Sequence, residues 1–174
     1  MTRLPHCRRL IWLLGTIMTL ISCTYEAQVR RLAPAEQAEF HAYRKIMTAS
    51  QAHTYLAKAT AAERTAYARE LGLVQRFQAL AAQDREAVLA GYPIQGMSTE
   101  AMRFLWGVPY AHKGRTGHYE HWYYLGSSLS LTASGNQHQN FGNWVDAYFE
   151  AGRLVWWMDF IPSINDTGSD CNGC

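Results

Sequence analysis

The sequence predicts an α+β protein: a helical N-terminal segment followed by a short helix packed on a small antiparallel β-sheet. Three observations carry this reading. Helix-start signals crowd residues 33–93, with two hydroxyl-x-x-Gln/Glu boxes and a proline suited to a first helical turn. After Pro93 the composition changes, because five of the six tryptophans fall between Trp106 and Trp157, where apolar residues recur with a period near two. Glu150-Ala151-Gly152 then supplies a tight turn, with Gly152 left-handed, that leaves the last two strands antiparallel.

Composition bounds the rest. With 174 residues, 48% of them hydrophobic and 17% charged, the chain has the make-up of a globular protein and not of a disordered one. Sixteen Lys and Arg against fourteen Asp and Glu leave a charge of +2, too little for a binder of phosphate backbones. No nucleic-acid partner is expected. The basic excess sits at one end, where Arg3, Arg8 and Arg9 precede twelve apolar or small residues over 10–21. A membrane-spanning helix needs roughly 20 apolar residues. The shorter run behind a basic start reads as an export signal over 1–22. Without it, 13 basic residues face 14 acidic ones, a charge of about −1.

Leu20-Ile21-Ser22-Cys23 closes the signal and resembles the lipobox of bacterial lipoproteins, in which an aliphatic residue and two small ones precede the cysteine; Ile21 is bulkier than usual. The resemblance implies that Cys23 is the lipid-attachment residue, becomes the new N-terminus and is acylated again. Each buried methylene contributes ~0.8 kcal/mol, and two or more chains anchor stably where one does not. Thr24 stands where a retaining Asp would imply the inner membrane. The resemblance therefore implies an outer-membrane anchor, a tether over 23–32 and a body facing the periplasm.

The elements follow in order. Pro34 opens a helix ahead of Phe40, Tyr43 and Met47, and Thr48-Ala49-Ser50-Gln51 and Thr60-Ala61-Ala62-Glu63 read as capping boxes. Tyr67, Leu71, Val74 and Phe77 keep a helical period, with Gly72 ending one helix and admitting the next. A helix around 84–90 stops at Gly91-Tyr92-Pro93. Ser98 caps a compact helix with Met102 and Leu105 inward, which Gly107-Val108-Pro109 ends. Strands are expected at 118–125, 128–132, 143–150 and 153–161, with a polar loop at 134–143. Residues 163–174 form a tail in which Cys171 and Cys174 are a possible disulfide. No helix follows that would turn the pair into a redox motif.

Gly96-Met97-Ser98-Thr99-Glu100-Ala101-Met102-Arg103-Phe104-Leu105-Trp106-Gly107-Val108-Pro109, followed by Trp122-Tyr123-Tyr124 and Phe149-Glu150-Ala151-Gly152, resembles the SmpA/OmlA lipoprotein family. That family includes the small E subunit of the outer-membrane β-barrel assembly machine. The likeness covers about 94–161. It implies an α+β domain over 94–162 that acts by binding proteins, with no catalytic residue among the motif positions. The helical segment 33–93 is larger than the helix that precedes the domain in the family, which makes this chain a relative of the domain and not the assembly subunit itself.

Alternate strand residues point to opposite faces. Leu129, Leu131, Val145, Ala147, Phe149, Leu154, Trp156, Met158 and Phe160 make one apolar set, expected in the core. The other set holds Glu120, Trp122, Tyr124, Trp144, Asp146, Tyr148, Trp157 and Asp159, mixing large aromatics with carboxylates. Such a face either lies under the N-terminal helices or binds a partner, since aromatics give much contact area at little entropic cost. The partner-binding candidates are Trp122, Tyr124, Trp144, Tyr148 and Trp157. His118 and His121 fall three apart on a strand, on opposite faces, so they do not chelate one ion, and no metal or other cofactor is expected.

Gly126-Ser127-Ser128-Leu129-Ser130 lacks the second glycine of a nucleophile elbow, and no phosphate loop is present. Glu120, Asp146 and Asp159 offer carboxylates that could pair for glycoside cleavage, and are as readily explained as solubilising charges on a half-wet face. The expected function is non-enzymatic: a lipid-anchored scaffold or accessory factor that binds an envelope protein. The alternative is a domain that binds or hydrolyses cell wall or lipid.

Overall fold

A computed structural model describes residues 25–116, 119–133 and 143–160. Cys23, His118, most of the polar loop, and Cys171 and Cys174 lie outside the described residues, as do the export signal and the side chain of Leu129. The fold is α+β. Contacts group the chain into two compact units, Met1–Gln37 and Ala38–Cys174. The described part of the first holds a helical turn at 25–29, buried Val29 and Leu32, and a hydrogen bond of 2.8 Å from Gln37 Nε2 to the Leu32 carbonyl.

Six helices precede the sheet among the described residues: α1 (Pro34–Arg44), α2 (Ala49–Ala57), α3 (Ala61–Glu70), α4 (Leu73–Gln78), α5 (Ala82–Ala90) and α6 (Thr99–Trp106). Their boundaries are set by local chemistry. Thr48 Oγ1 accepts from the Gln51 amide at 3.2 Å while Gln51 Oε1 accepts from the Thr48 amide at 2.8 Å. Thr60 and Glu63 repeat the exchange at 3.2 and 3.0 Å. Each box satisfies two amides that a helix start leaves unpaired. Gly72, at φ +72°, is the left-handed step between α3 and α4.

Aromatic rings connect the helices. Phe40 stacks on Tyr55 at 5.2 Å; Tyr43 meets Phe77 at 5.8 Å, and Phe77 meets Phe104 at 5.3 Å. Within α6, Ala101, Met102, Phe104, Leu105 and Trp106 are all buried. Only Thr99, Glu100 and Arg103 stay partly exposed, so the broad apolar remainder of α6 is covered by neighbours. Phe104 faces α1 and α4, whereas Trp106 meets Tyr124 of the sheet at 5.3 Å. Helix α6 is therefore the layer between helices and sheet.

The sheet is an antiparallel meander, β1 (Ala111–Thr116), β2 (Tyr119–Leu125), β3 (Trp144–Glu150) and β4 (Arg153–Phe160), in that spatial order. Helix α7 (Ser128–Ala133) follows β2. Two expectations change here. Residues 128–132 alternate like a strand, but they form α7. Ser127 and Ser130 exchange side-chain and backbone hydrogen bonds at 2.9 and 3.1 Å, and Asp159 accepts from the Ser128 amide at 2.6 Å. Helix formation thus draws on a carboxylate 31 residues away. Strand β1, Ala-His-Lys-Gly-Arg-Thr, shows no apolar alternation that would mark a strand; it pairs antiparallel along the edge of β2.

The motif Gly96-Met97-Ser98 joins helices to sheet. The Gly96 amide donates to the Leu154 carbonyl at 2.7 Å, and the Leu154 amide donates to the Met97 carbonyl at 2.8 Å. Ser98 caps α6 and also donates its hydroxyl to buried Asp84 at 2.6 Å. At Gly107 a Cβ would lie 3.2 Å from the Lys45 carbonyl, and φ is +87°. The residues that carry the family resemblance here hold the fold together.

Candidate functional site

Residues directly opposite each other on antiparallel strands share a face, so the register sorts the sheet into two sides. Trp122 lies opposite Ala147 and Tyr124 opposite Val145, while Phe149 lies opposite Glu120 on β2 and Leu154 on β4. Trp122, Tyr124, Val145, Ala147, Phe149 and Leu154 are buried. They face α6: Trp106 touches Tyr124, and the Arg103 guanidinium sits 5.2 Å over the Trp122 ring. This is the helix side.

The other side consists of cross-strand rows. His121, Tyr148 and Trp156 form one, and Leu125, Trp144 and Phe160 form another. Between them run Tyr123, Asp146 and Met158. Tyr148 stacks on Trp156 at 3.8 Å and 13°, and His121 meets Tyr148 at 4.1 Å and 66°. Trp144 stacks on Phe160 at 4.9 Å and 14°. Trp144, Trp156 and Met158 are 38%, 42% and 41% exposed, and Tyr119 at the end of the face is 49% exposed. Each helix-to-sheet ring contact described above goes to the opposite side. Large apolar side chains concentrated on one face mark a candidate interaction surface.

The five residues expected to meet a partner divide between the two sides. Trp144 and Tyr148 are on the open face. Trp122 and Tyr124 are core residues against α6, and Trp157, half-buried and opposite Ala147, points to the helix side. Two physical causes separate them. The register sets even-numbered β2 residues opposite odd-numbered β3 residues, so Trp122 and Tyr124 share the face of Val145 and Ala147. In β4, Leu154 pairs with Phe149 but Trp156 pairs with Tyr148, leaving Val155 as an extra residue. A β-bulge of this kind shifts the alternation by one position. Trp156, Met158 and Phe160, expected in the core, therefore join the open face, and Asp159 turns to the helix side, where it caps α7. Strand alternation read without strand pairing could not find this, because neither the register nor the bulge has a local sequence signature.

Asp146 occupies the middle of the open face and is only 7% exposed. The Tyr148 hydroxyl donates to its Oδ2 at 3.5 Å, and its Oδ1 has no hydrogen-bond partner. Burial raises the Asp146 pKa above the usual carboxylate value, opposed by the charges of His121 and Lys113 and by the Tyr148 hydroxyl. Burial, the Asp146 charge and Tyr123 in turn raise the Tyr148 pKa. Lys113 lies 5.9 Å over the Tyr123 ring.

The carboxylates Glu120, Asp146 and Asp159 do not converge, since Glu120 and Asp159 are on the helix side and Asp146 is on the open face. Among the described residues, no three His, Cys, Asp or Glu side chains come together as metal ligands. A groove of about 470 Å³ on the helical layer, lined by Tyr43, Val74, Phe77 and Leu89, has Glu39, Glu86, Arg69 and Arg85 around it. Arg85 is occupied there, donating to the Gln78 and Leu80 carbonyls. No family model matches the chain, and no curated protein or solved structure does either.

Proposed function

We propose that the protein is a lipid-anchored envelope factor that acts without catalysis, by docking another protein on the open face of its sheet. The observation that carries the reading is the pair of aromatic stacks, Tyr148–Trp156 and Trp144–Phe160, on the face away from the helices. Upright aromatic side chains supply contact area with few rotatable bonds, which suits them to the centre of a protein interface. The basic start, the short apolar run and Leu20-Ile21-Ser22-Cys23 support attachment through lipid on Cys23 and a periplasm-facing position at the outer membrane. The motif likeness to the SmpA/OmlA family, whose members bind proteins, points the same way.

Two measurements test the proposal. Labelled fatty acid should enter the wild-type chain and not the Cys23→Ser variant; equal labelling of both would remove the anchor. Trp144→Ala together with Trp156→Ala should abolish co-purification of the envelope partner while costing only about 1–2 kcal/mol, the scale of two cross-strand aromatic pairs. Retained co-purification would remove the docking face. A stability loss of the roughly 3–5 kcal/mol typical of a core aromatic would make these residues structural instead.

A further inference from the structure

Asp146 is the one feature of the open face that apolar docking does not explain. Its carboxylate is 7% exposed at the centre of an aromatic surface; one oxygen has no partner, and the other has a single hydrogen bond of 3.5 Å, at the outer limit for such a bond. Buried polar groups in folded proteins are satisfied, and a buried carboxylate is normally met by a cation or by several donors. Among the described side chains none makes an ion pair with Asp146, and only the Tyr148 hydroxyl donates to it, although the His121 and Lys113 charges act on it from a distance. Lys113 sits over Tyr123 and makes no ion pair with Asp146. Arg153, the cation of β4, is turned towards Asp84 and the Gly96 carbonyl, at 3.7 and 3.3 Å. Residues 134–142 and 161–174, which adjoin the sheet in sequence, contain no Lys or Arg.

We propose that Asp146 receives an arginine side chain of the protein docked on this face. The inference rests on the docking proposed above and names its chemistry. Oδ1 is unpaired and Oδ2 holds one long hydrogen bond, and a guanidinium presents two parallel N–H donors that match a carboxylate, where an ammonium offers a point charge. Guanidinium is also the more weakly hydrated cation and packs against aromatic rings, which here lie along both sides of the Tyr123–Asp146–Met158 row. Met158 is the cross-strand neighbour of Asp146, unbranched and 41% exposed, which suits it to repack around an incoming side chain. A sugar is the weaker fit, because its hydroxyls bring no positive charge to a buried carboxylate.

The test uses the mature chain with its tryptophan indoles labelled for NMR and N-acetyl-arginine amide as probe, with N-acetyl-lysine amide and N-acetylglucosamine in parallel. The arginine probe should shift the Trp144 and Trp156 indole N–H signals saturably, with at least tenfold weaker binding by Asp146→Asn and weaker shifts from the other two probes. The same variant should melt no lower than wild type, since it removes an unsatisfied charge. No saturable shift, or equal binding by Asp146→Asn, would overturn the proposal; equal shifts with the glucosamine would transfer the face to glycans. A photocrosslinker at Tyr119, exposed at the end of the face, separates this inference from the docking it rests on. Absence of any crosslinked envelope protein would overturn the docking. A crosslink undiminished in Asp146→Asn would leave the docking and overturn the arginine.

Discussion

Lys45 follows the last turn of α1, and its Nζ donates to the Leu131 carbonyl of α7, tying the two helices together. Burial lowers its pKa from 10.5 to about 8, with the neighbouring Arg44 charge adding to the effect. A folded-state pKa below the unfolded one means that the proton held below pH 8 is held at a cost. Between about pH 8 and 10.5 the unfolded chain binds more protons than the folded one, so stability rises with pH in that window. Wild type should gain on the order of 2–3 kcal/mol relative to Lys45→Met across it, measured by urea unfolding at pH 7, 8.5 and 10. A constant difference between the two proteins would reject the buried charge. Above pH 10 the sign reverses for Tyr43, which burial and the Glu39 charge push up to about 12: the folded state keeps a proton that the unfolded state loses, and stability falls.

The β3–β4 hairpin turns on two residues, since Glu150 pairs with Arg153 and both Ala151 and Gly152 have positive φ, 48° and 75°. Left-handed φ at both positions matches the twist of the strands, but alanine there pays a steric penalty that glycine does not. Ala151→Gly should therefore stabilise the protein by about 0.5–1 kcal/mol after its own entropic cost, read as a higher urea midpoint at unchanged slope. A loss of stability would mean that the turn is not strained. Local devices of this kind were legible: both threonine boxes, the Gly72 step, the Ser98 cap and the Gly152 turn are short-range chemistry. Helix α7 was not legible: residues 128–132 alternate like a strand, and the Asp159 cap comes from 31 residues away. Strand β1 and the sides of Trp122 and Trp157 depend on pairing between distant segments, which alternation along one strand does not encode.

Within the unit Ala38–Cys174 the described sheet is two-sided, with helix α6 against one side and exposed aromatics on the other. Five tryptophans lie in the described residues, and their exposure sorts them by side: Trp106 and Trp122 are 0% and 4% exposed, against 38% and 42% for Trp144 and Trp156. In single-tryptophan variants, acrylamide should quench Trp144 and Trp156 several times more efficiently than Trp106 and Trp122. Equal quenching would dissolve the distinction on which the proposed function depends. The same asymmetry accounts for what the candidate site left illegible. Aromatics crowd both sides of this sheet, so composition alone does not tell a buried ring from an exposed one; the cross-strand register separates Trp122 from Trp144.

The unpaired Val155 gives the open face an unusual kind of inheritance. Loss of codon 155 would remove the bulge and leave Trp156 and Trp157 on their present sides, because the extra residue is the one that is gone. Loss of codon 157 would instead carry Met158 inward and Asp159 outward, stripping α7 of its cap and putting a charge where a thioether had been. Two in-frame deletions of equal length, two positions apart, would thus have opposite consequences, a tolerated shortening in one case and an inverted strand in the other. In β4, chain length at one position governs surface identity as strongly as residue type does.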